Sequence, residues 1–261
     1  MKRKTYPSDL TRKQFERLEL FLPAGRPLGR PRSVDLYEVV CAILYVLQNG
    51  CTWRGLPHDF PKWQTVYGYF RRFEHDGTWA AINRVLVRKT RCASGRSAEP
   101  SAAILDAQSV RCSPQAGPRG RDAAKRLIGR KRHVLVDALG LLLFVLVTSA
   151  NVQDHNGGRF VLNAARHRFP RIELVWVDRG YQAGLVRWVK ALCGWRIEVV
   201  RPVPGARGFQ VLPRRWVVER SLAWLTRSRR LSRDFEGRPQ TTETWCYLAN
   251  IRLMLRRLDP C

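Results

Sequence analysis

Acidic residues are the scarce class in this chain: 21 Asp and Glu stand against 47 Lys and Arg, for a formal net charge of +26 and a pI near 11.1. That imbalance goes far beyond what solubility requires and matches a polyanion, so nucleic acid is the expected partner. Long hydrophobic runs are missing as well. The most apolar stretch, from Ala138 to Val147, is too short to span a bilayer, and the basic opening MKRKTYPSDL has no apolar segment behind it. Because the basic residues recur along the whole chain and do not form one terminal amphipathic segment, a membrane-surface role is disfavoured and no membrane partner is expected.

Paired cysteine motifs are also absent. The seven cysteines (Cys41, Cys51, Cys92, Cys112, Cys193, Cys246 and Cys261) are scattered, odd in number and never spaced C-x-x-C. Neither a zinc site nor a disulfide framework is indicated, and a reducing cytoplasm is the expected location. No G-x-x-x-x-G-K-[ST] loop occurs, so ATP is not implied. The five histidines (His58, His75, His133, His155 and His167) stand in no Ser-His-Asp or Cys-His nucleophile motif.

What remains is 45% hydrophobic over 261 residues, enough for one large or two modest domains. Residues 8–92 read as helical. Ser8 and Thr11 are candidate caps before a Phe15, Leu18, Phe21, Leu22 stripe, and a basic Gly/Pro linker, AGRPLGRPRS, follows it. Asp35 to Leu47 is apolar nearly all round, a buried helix that Gly50 and Leu56-Pro57 break before a second helix near Trp63 to Glu74. Helix, turn, helix is the pattern. Lys62, Gln64, Thr65, Arg71 and Arg72 give the second helix a composition suited to base edges and phosphates in a major groove, although a helical bundle with a solvated basic face has the same pattern.

A basic Gly/Ser/Pro stretch marks a linker over residues 93–101, dividing a helical domain (1–92) from a second domain (102–261). There AAILDAQSV reads as a strand, KRHVLVDALGLLLFVLVTSA as two strands about a turn near Asp137 to Gly140, and GRFVLNAARHRF as a helix. IELVWVD and RIEVVRPV are further strands separated by the helix GLVRWVKALC, and RRWVVERSLAWLTRSRR is a long helix. The fold class is α/β, a mixed sheet with flanking helices.

With acids so scarce, those on apolar elements are informative, since an ionised carboxylate is costly to bury unless paired or metal-bound. Asp106 lies inside ILDA, on the strand face opposite Leu105; Asp178 closes IELVWVD before Gly180; Glu219 borders the apolar face made by Val218, Leu222 and Leu225. Each has a plainer reading. Asp178 could cap a turn, and Glu219 could pair with Arg215 one turn earlier. Together, three acids of one α/β domain can converge on two divalent cations, Mg2+ or Mn2+, and in a polyanion-binding chain phosphodiester chemistry follows.

Several stretches in order carry a resemblance over nearly the whole chain: WRGLPHDFPKWQTVYGYFRRF, ILDAQSV, DAAKRLIGRKRHVLVDALGLLL, ANVQDH, VWVDRGY and RRWVVERSLAWLTRSRRLSRDFE. The chain resembles DDE transposases of bacterial insertion sequences, specifically insertion-sequence family 5. The resemblance implies an RNase H-like catalytic fold, with Asp106, Asp178 and Glu219 as its acidic triad and Arg215 matching the arginine of the glutamate signature. Leu212 and Thr226 stand where relatives have a tyrosine and a basic residue, and Arg121 where a tyrosine is common. It further implies double-stranded DNA as partner (terminal inverted repeats and target), strand cleavage and transfer, and a homodimer in the DNA complex.

The basic segment RGRDAAKRLIGRKRH, with Lys125, Arg130, Lys131 and Arg132, enters the central hairpin and is expected to hold the DNA backbone beside the acids. Arg220, Arg227 and Arg230 extend that expectation along the late helices. Trp216 and Trp224 accompany them as a stacking platform or, more commonly for tryptophan, as core. Competing functional readings are a non-catalytic or decayed DNA-binding protein and an RNase H-like nuclease without strand transfer.

Overall fold

The computed structural model describes residues 3–24, 32–114, 116–181, 184–201 and 213–260. Most of the AGRPLGRPRS linker, and Leu212, lie outside them.

Helix α1 (Arg12–Glu19) starts at Thr11, whose hydroxyl accepts the Gln14 N–H while the Gln14 side chain accepts the Thr11 N–H, a reciprocal capping box. Helix α2 (Leu36–Asn49) starts where the Asp35 carboxylate accepts the Tyr37 N–H, and stops at Gly50 in the left-handed conformation. A Cβ on Gly50 would sit 3.1 Å from the Arg229 side chain, so this turn is also a close approach between distant parts of the chain. Residues 50–62, including a 3-10 turn at Trp53–Gly55, lead to α3 (Trp63–His75), and α4 (Thr78–Ala93) follows Gly77. Helix α3 buries Val66, Phe70 and Phe73, which leaves Lys62, Gln64 and Thr65 on its exposed side.

The sheet comprises β1 (Ala102–Arg111), β2 (Gly120–Asp122), β3 (Leu127–Asp137), β4 (Leu142–Ser149), β5 (Leu174–Val177) and β6 (Arg196–Val199). Its order is β4-β3-β1-β5-β6, with short β2 sharing the β4 edge of β3. The first three strands form an antiparallel meander, and β5 and β6 run parallel to β1. The Asp137 carboxylate closes the β3–β4 turn by accepting the N–H groups of Leu139 and Leu141, and Gly140 supplies the positive φ.

Helices α5 (Asp154–Arg166) and α6 (Gly184–Cys193) cover one face; α7 (Arg215–Thr226), α8 (Arg229–Ser232) and α9 (Pro239–Leu258) lie on the other. Leu105 approaches Gly158 of α5, whereas Ile104 lines a pocket with Val217 of α7. Alternation therefore places Asp106 on the α7 face.

The helical segment and the sheet share one core. Asn83 of α4 donates to the Leu142 carbonyl (2.8 Å) and accepts from Asn250 of α9 (2.6 Å), and buried Arg91 pairs with buried Asp137. Two elements differ from the sequence reading: β2 was not anticipated, and the long helix divides between Thr226 and Arg229. The break lets Leu231 enter the core and Arg230 reach Glu236 at 2.7 Å. Among the described residues no helix is long and apolar enough to cross a membrane.

Candidate active site

Strands β1 and β5 pair in parallel through Ala102–Leu174, Ala103–Val175 and Ile104–Trp176. Continuing that register by two steps sets Asp106, midway along β1, beside Asp178, just past the carboxyl end of β5, the kind of strand end at which open α/β sheets collect their ligands. Helix α7 crosses the same face, and its Arg215 and Glu219 are one turn apart.

The acids share one cation. Arg215 Nη2 lies 3.8 Å from Asp106 Oδ2, 3.8 Å from Asp178 Oδ2 and 3.5 Å from Glu219 Oε1. Each Asp uses its other oxygen locally: Asp106 Oδ1 accepts the Ala107 N–H and Asp178 Oδ1 accepts the Gly180 N–H, both at 2.8 Å. Asp178 thus forms the turn and joins the Arg215 cluster at once, and the Glu219–Arg215 pair expected as the plainer alternative is also present. Burial pushes the Asp106 carboxyl up to about 6; the Ala107 N–H and Arg215 oppose that rise, and the Asp178 charge reinforces it.

Among the described residues no three His, Cys, Asp or Glu side chains close on a single point as metal ligands. The donor set nevertheless fits hard divalent ions. Three carboxylates, one of them buried, already gather round a positive charge, and each has an oxygen turned toward it.

The basic residues divide. Lys125 is exposed in the β2–β3 turn, close enough for its charge to stabilise the Asp106 carboxylate. Arg227 is exposed, Arg72 half-buried, and Arg71 is paired with Glu74. The expectation that Arg130, Lys131 and Arg132 hold a DNA backbone is corrected. Arg130 and Arg132 are fully buried. Arg130 pairs with Asp234 at 3.1 Å and donates to the carbonyls of Pro118, Glu236 and Gly237, while Arg132 donates to Leu231 O. Lys131, also buried, pairs with Asp154 at 2.9 Å. The chain from α8 to α9 covers the face of β3 that carries Arg130 and Arg132, and the start of α5 covers the face that carries Lys131, so both halves of this charged run are enclosed.

Arg220 lies between Trp216 (4.4 Å) and Trp224 (4.5 Å), with Arg257 also over Trp224 at 4.7 Å. The two tryptophans are therefore not core; Trp216 is 41% exposed. They clamp a cation. Sequence reasoning missed Tyr181, which is fully buried with, among the described residues, no hydrogen-bond partner for its hydroxyl. Burial, then the charges of Asp106, Asp154 and Asp178, raises its pKa well above that of a free tyrosine. The available signal was its position three residues after Asp178 in a strand exit.

Comparison with known proteins adds to this geometry. A family model described as "Transposase DDE domain" matches residues 97–254, and one described as "Putative transposase of IS4/5 family" matches residues 10–83. A Burkholderia cepacia protein named "Putative transposase for insertion sequence element IS402" is 35% identical over 136 residues, covering 48% of this chain and 61% of its own length. The mixed strand order, and a family match that takes in every strand and the helix bearing Glu219, place this chain among the DDE transposases of the insertion-sequence 4/5 type, whose catalytic half has the RNase H-like fold.

Proposed function

We propose that the protein cuts and rejoins DNA at the ends of an insertion sequence, with Asp106, Asp178 and Glu219 as its catalytic carboxylates. The observation that carries this reading is the convergence of all three acids, from two strands and a helix, within 3.8 Å of one guanidinium nitrogen. The three would hold two divalent cations, Mg2+ or Mn2+, which would lower the pKa of a water or 3′-hydroxyl nucleophile and neutralise charge on the leaving oxygen. Arg215 would exchange its carboxylate partners for a DNA phosphate, keeping a positive charge beside the reacting strand. Lys125, from the β2–β3 turn, would add a second phosphate contact.

The helical segment, residues 1–92, would read the terminal inverted repeats through the exposed side of α3, with Lys62, Gln64 and Thr65 at the duplex and Arg72 on its backbone. Arg227 and Arg220 would extend the phosphate track along α7. Synapsis of two ends calls for two copies of the chain, so a homodimer in the DNA complex is part of the reading. Double-stranded target DNA is the second substrate.

Strand transfer distinguishes this function from that of a nuclease. A labelled, pre-cut inverted-repeat end incubated with plasmid and Mg2+ should become covalently joined to the plasmid; cutting without any joined product would reduce the assignment to a nuclease.

A further inference from the structure

An open cleft of about 620 Å³ lies between the helical segment and the chain that follows α8, inside the roughly 300–1,000 Å³ range of sites for small ligands. Its floor is aromatic. Trp53 stacks on Trp245 (centroids 5.7 Å apart, 28° between planes), which stacks on Phe70 (4.5 Å, 23°), so the exposed side of Trp53 is backed by a fixed column of rings. Tyr67 meets Trp53 edge-on at 5.3 Å and is 38% exposed, and Trp63 is half-buried beside them. Aromatic side chains of this size usually finish folding with their faces covered. Here three are left lining an opening.

The rim is cationic. Arg54, over the Trp63 ring at 5.7 Å, and Arg238, just before α9, are exposed, and among the described residues neither has a carboxylate or carbonyl partner. Two further arginines are already neutralised, Arg71 by Glu74 and Arg230 by Glu236, and those pairs hold the walls. Unpaired arginine at the mouth and π-faces on the floor are complementary to one ligand chemistry, an anionic backbone with flat bases detached from their stack. A paired duplex cannot offer this: its bases are covered by their neighbours.

We propose that this cleft binds an unstacked nucleotide of single-stranded DNA, its base against Tyr67, Trp53 and Trp63 and its phosphates at Arg54 and Arg238. The site is separate from the acid triad and reached from it by following α7 into α8, so it would hold strand that has left the duplex while chemistry proceeds elsewhere. It rests on the reading of the protein as a DNA-strand-processing enzyme, and deepens it by naming a substrate form.

The test compares the full-length protein's affinity for a short fluorescein-labelled oligothymidylate with that for an abasic oligomer of the same length. The intact oligomer should bind about five- to a hundredfold more tightly per seated base. Tyr67→Ala and Trp63→Ala should shrink that ratio toward one, and Arg54→Ala or Arg238→Ala should weaken both oligomers alike and flatten the salt dependence by about one unit each. A 5-iododeoxyuridine oligomer provides a readout without substitution, since photocrosslinks should map to Tyr67, Trp63 or Trp53 in the wild-type chain. Equal affinity for intact and abasic oligomers, or crosslinks confined to other parts of the chain, would overturn the proposal. Asp106→Ala should bind the oligomer as the wild type does. Base discrimination without metal-dependent cleavage would sink the catalytic reading and leave the cleft; cleavage without base discrimination would do the reverse.

Discussion

Arg215 and Asp106 stand 3.8 Å apart, Nη2 to Oδ2, and the same guanidinium nitrogen serves Asp178 and Glu219. One arginine thus balances three carboxylates, of which Asp106 is buried. Replacing it by Arg215→Gln removes the counter-charge and shortens the side chain by two atoms while keeping a polar, hydrogen-bonding end. In chelator the variant should lose about 1–2 kcal/mol of stability. Added Mn2+ should then raise its melting temperature by more than it raises that of the wild type, because divalent charge replaces the lost guanidinium. Equal increments in the two proteins would show that Arg215 does not stand in for the cations.

Arg130 and Asp234 form a fully buried ion pair at 3.1 Å, with further guanidinium hydrogen bonds to backbone carbonyls. Removing one partner strands the other charge in the interior, at a cost of about 3–5 kcal/mol. Arg130→Ala should therefore lower the denaturant midpoint sharply, and the fraction that remains folded should bind duplex DNA with the wild-type salt slope. A variant of unchanged stability but weaker, less salt-sensitive binding would restore the discarded DNA-contact role.

Sequence pattern revealed the antiparallel hairpin around Asp137 and the strand that carries Asp106, because period-two alternation is a local property. It also placed Asp178 at a strand end, since an acid followed by Gly180 closes an apolar run within a few residues. What it could not show was where the charged run Gly129-Arg130-Lys131-Arg132-His133 goes. Arg130 finds Asp234 and Arg132 finds Leu231 O about a hundred residues later, so local charge density read as a DNA-backbone contact when it was interior. The break between Thr226 and Arg229 was hidden for a related reason: Glu236 draws Arg230 aside after the chain has turned. Arg71 was similarly ambiguous, for Glu74 is visible at i, i+3 but Thr241 is not.

Lys62, Gln64 and Thr65 lie on the exposed side of α3. Lys62→Ala should weaken binding to any duplex about equally and reduce the magnitude of the log affinity against log salt slope by about 1. Gln64→Ala should instead cost about 1–3 kcal/mol on the cognate inverted repeat alone. Titrations of both variants against cognate and scrambled duplexes at several salt concentrations separate the two effects; identical losses on both duplexes for Gln64→Ala would remove its base-reading role.

His133 is buried on β3, beside Thr148 Oγ1 at 3.0 Å. Burial lowers its pKa from 6.5 to about 4; Asp154 at the start of α5 opposes the drop, and Lys131 on the same strand adds to it. The folded state keeps this ring neutral while the unfolded chain takes up a proton below 6.5, so the contribution is whole above pH 6.5 and lost as pH falls toward 4, by roughly 3 kcal/mol at most. Glu243, raised to about 7 chiefly by burial, runs the opposite way and loses its contribution as pH rises from 4.5 through 7. Subtracting the stability profile of His133→Gln from that of the wild type isolates the histidine: the difference should fall with pH between 6.5 and 4, and a flat difference would mean that the ring titrates normally.

The central claim is that Asp106, Asp178 and Glu219 work together on a phosphodiester bond. Its most direct measurement is Mg2+-dependent cleavage of labelled inverted-repeat DNA by the wild type and by Asp106→Ala, Asp178→Ala and Glu219→Ala, with binding of the same DNA followed by gel shift. Each substitution should abolish cleavage while binding survives; cleavage retained by any one of the three variants would contradict the assignment.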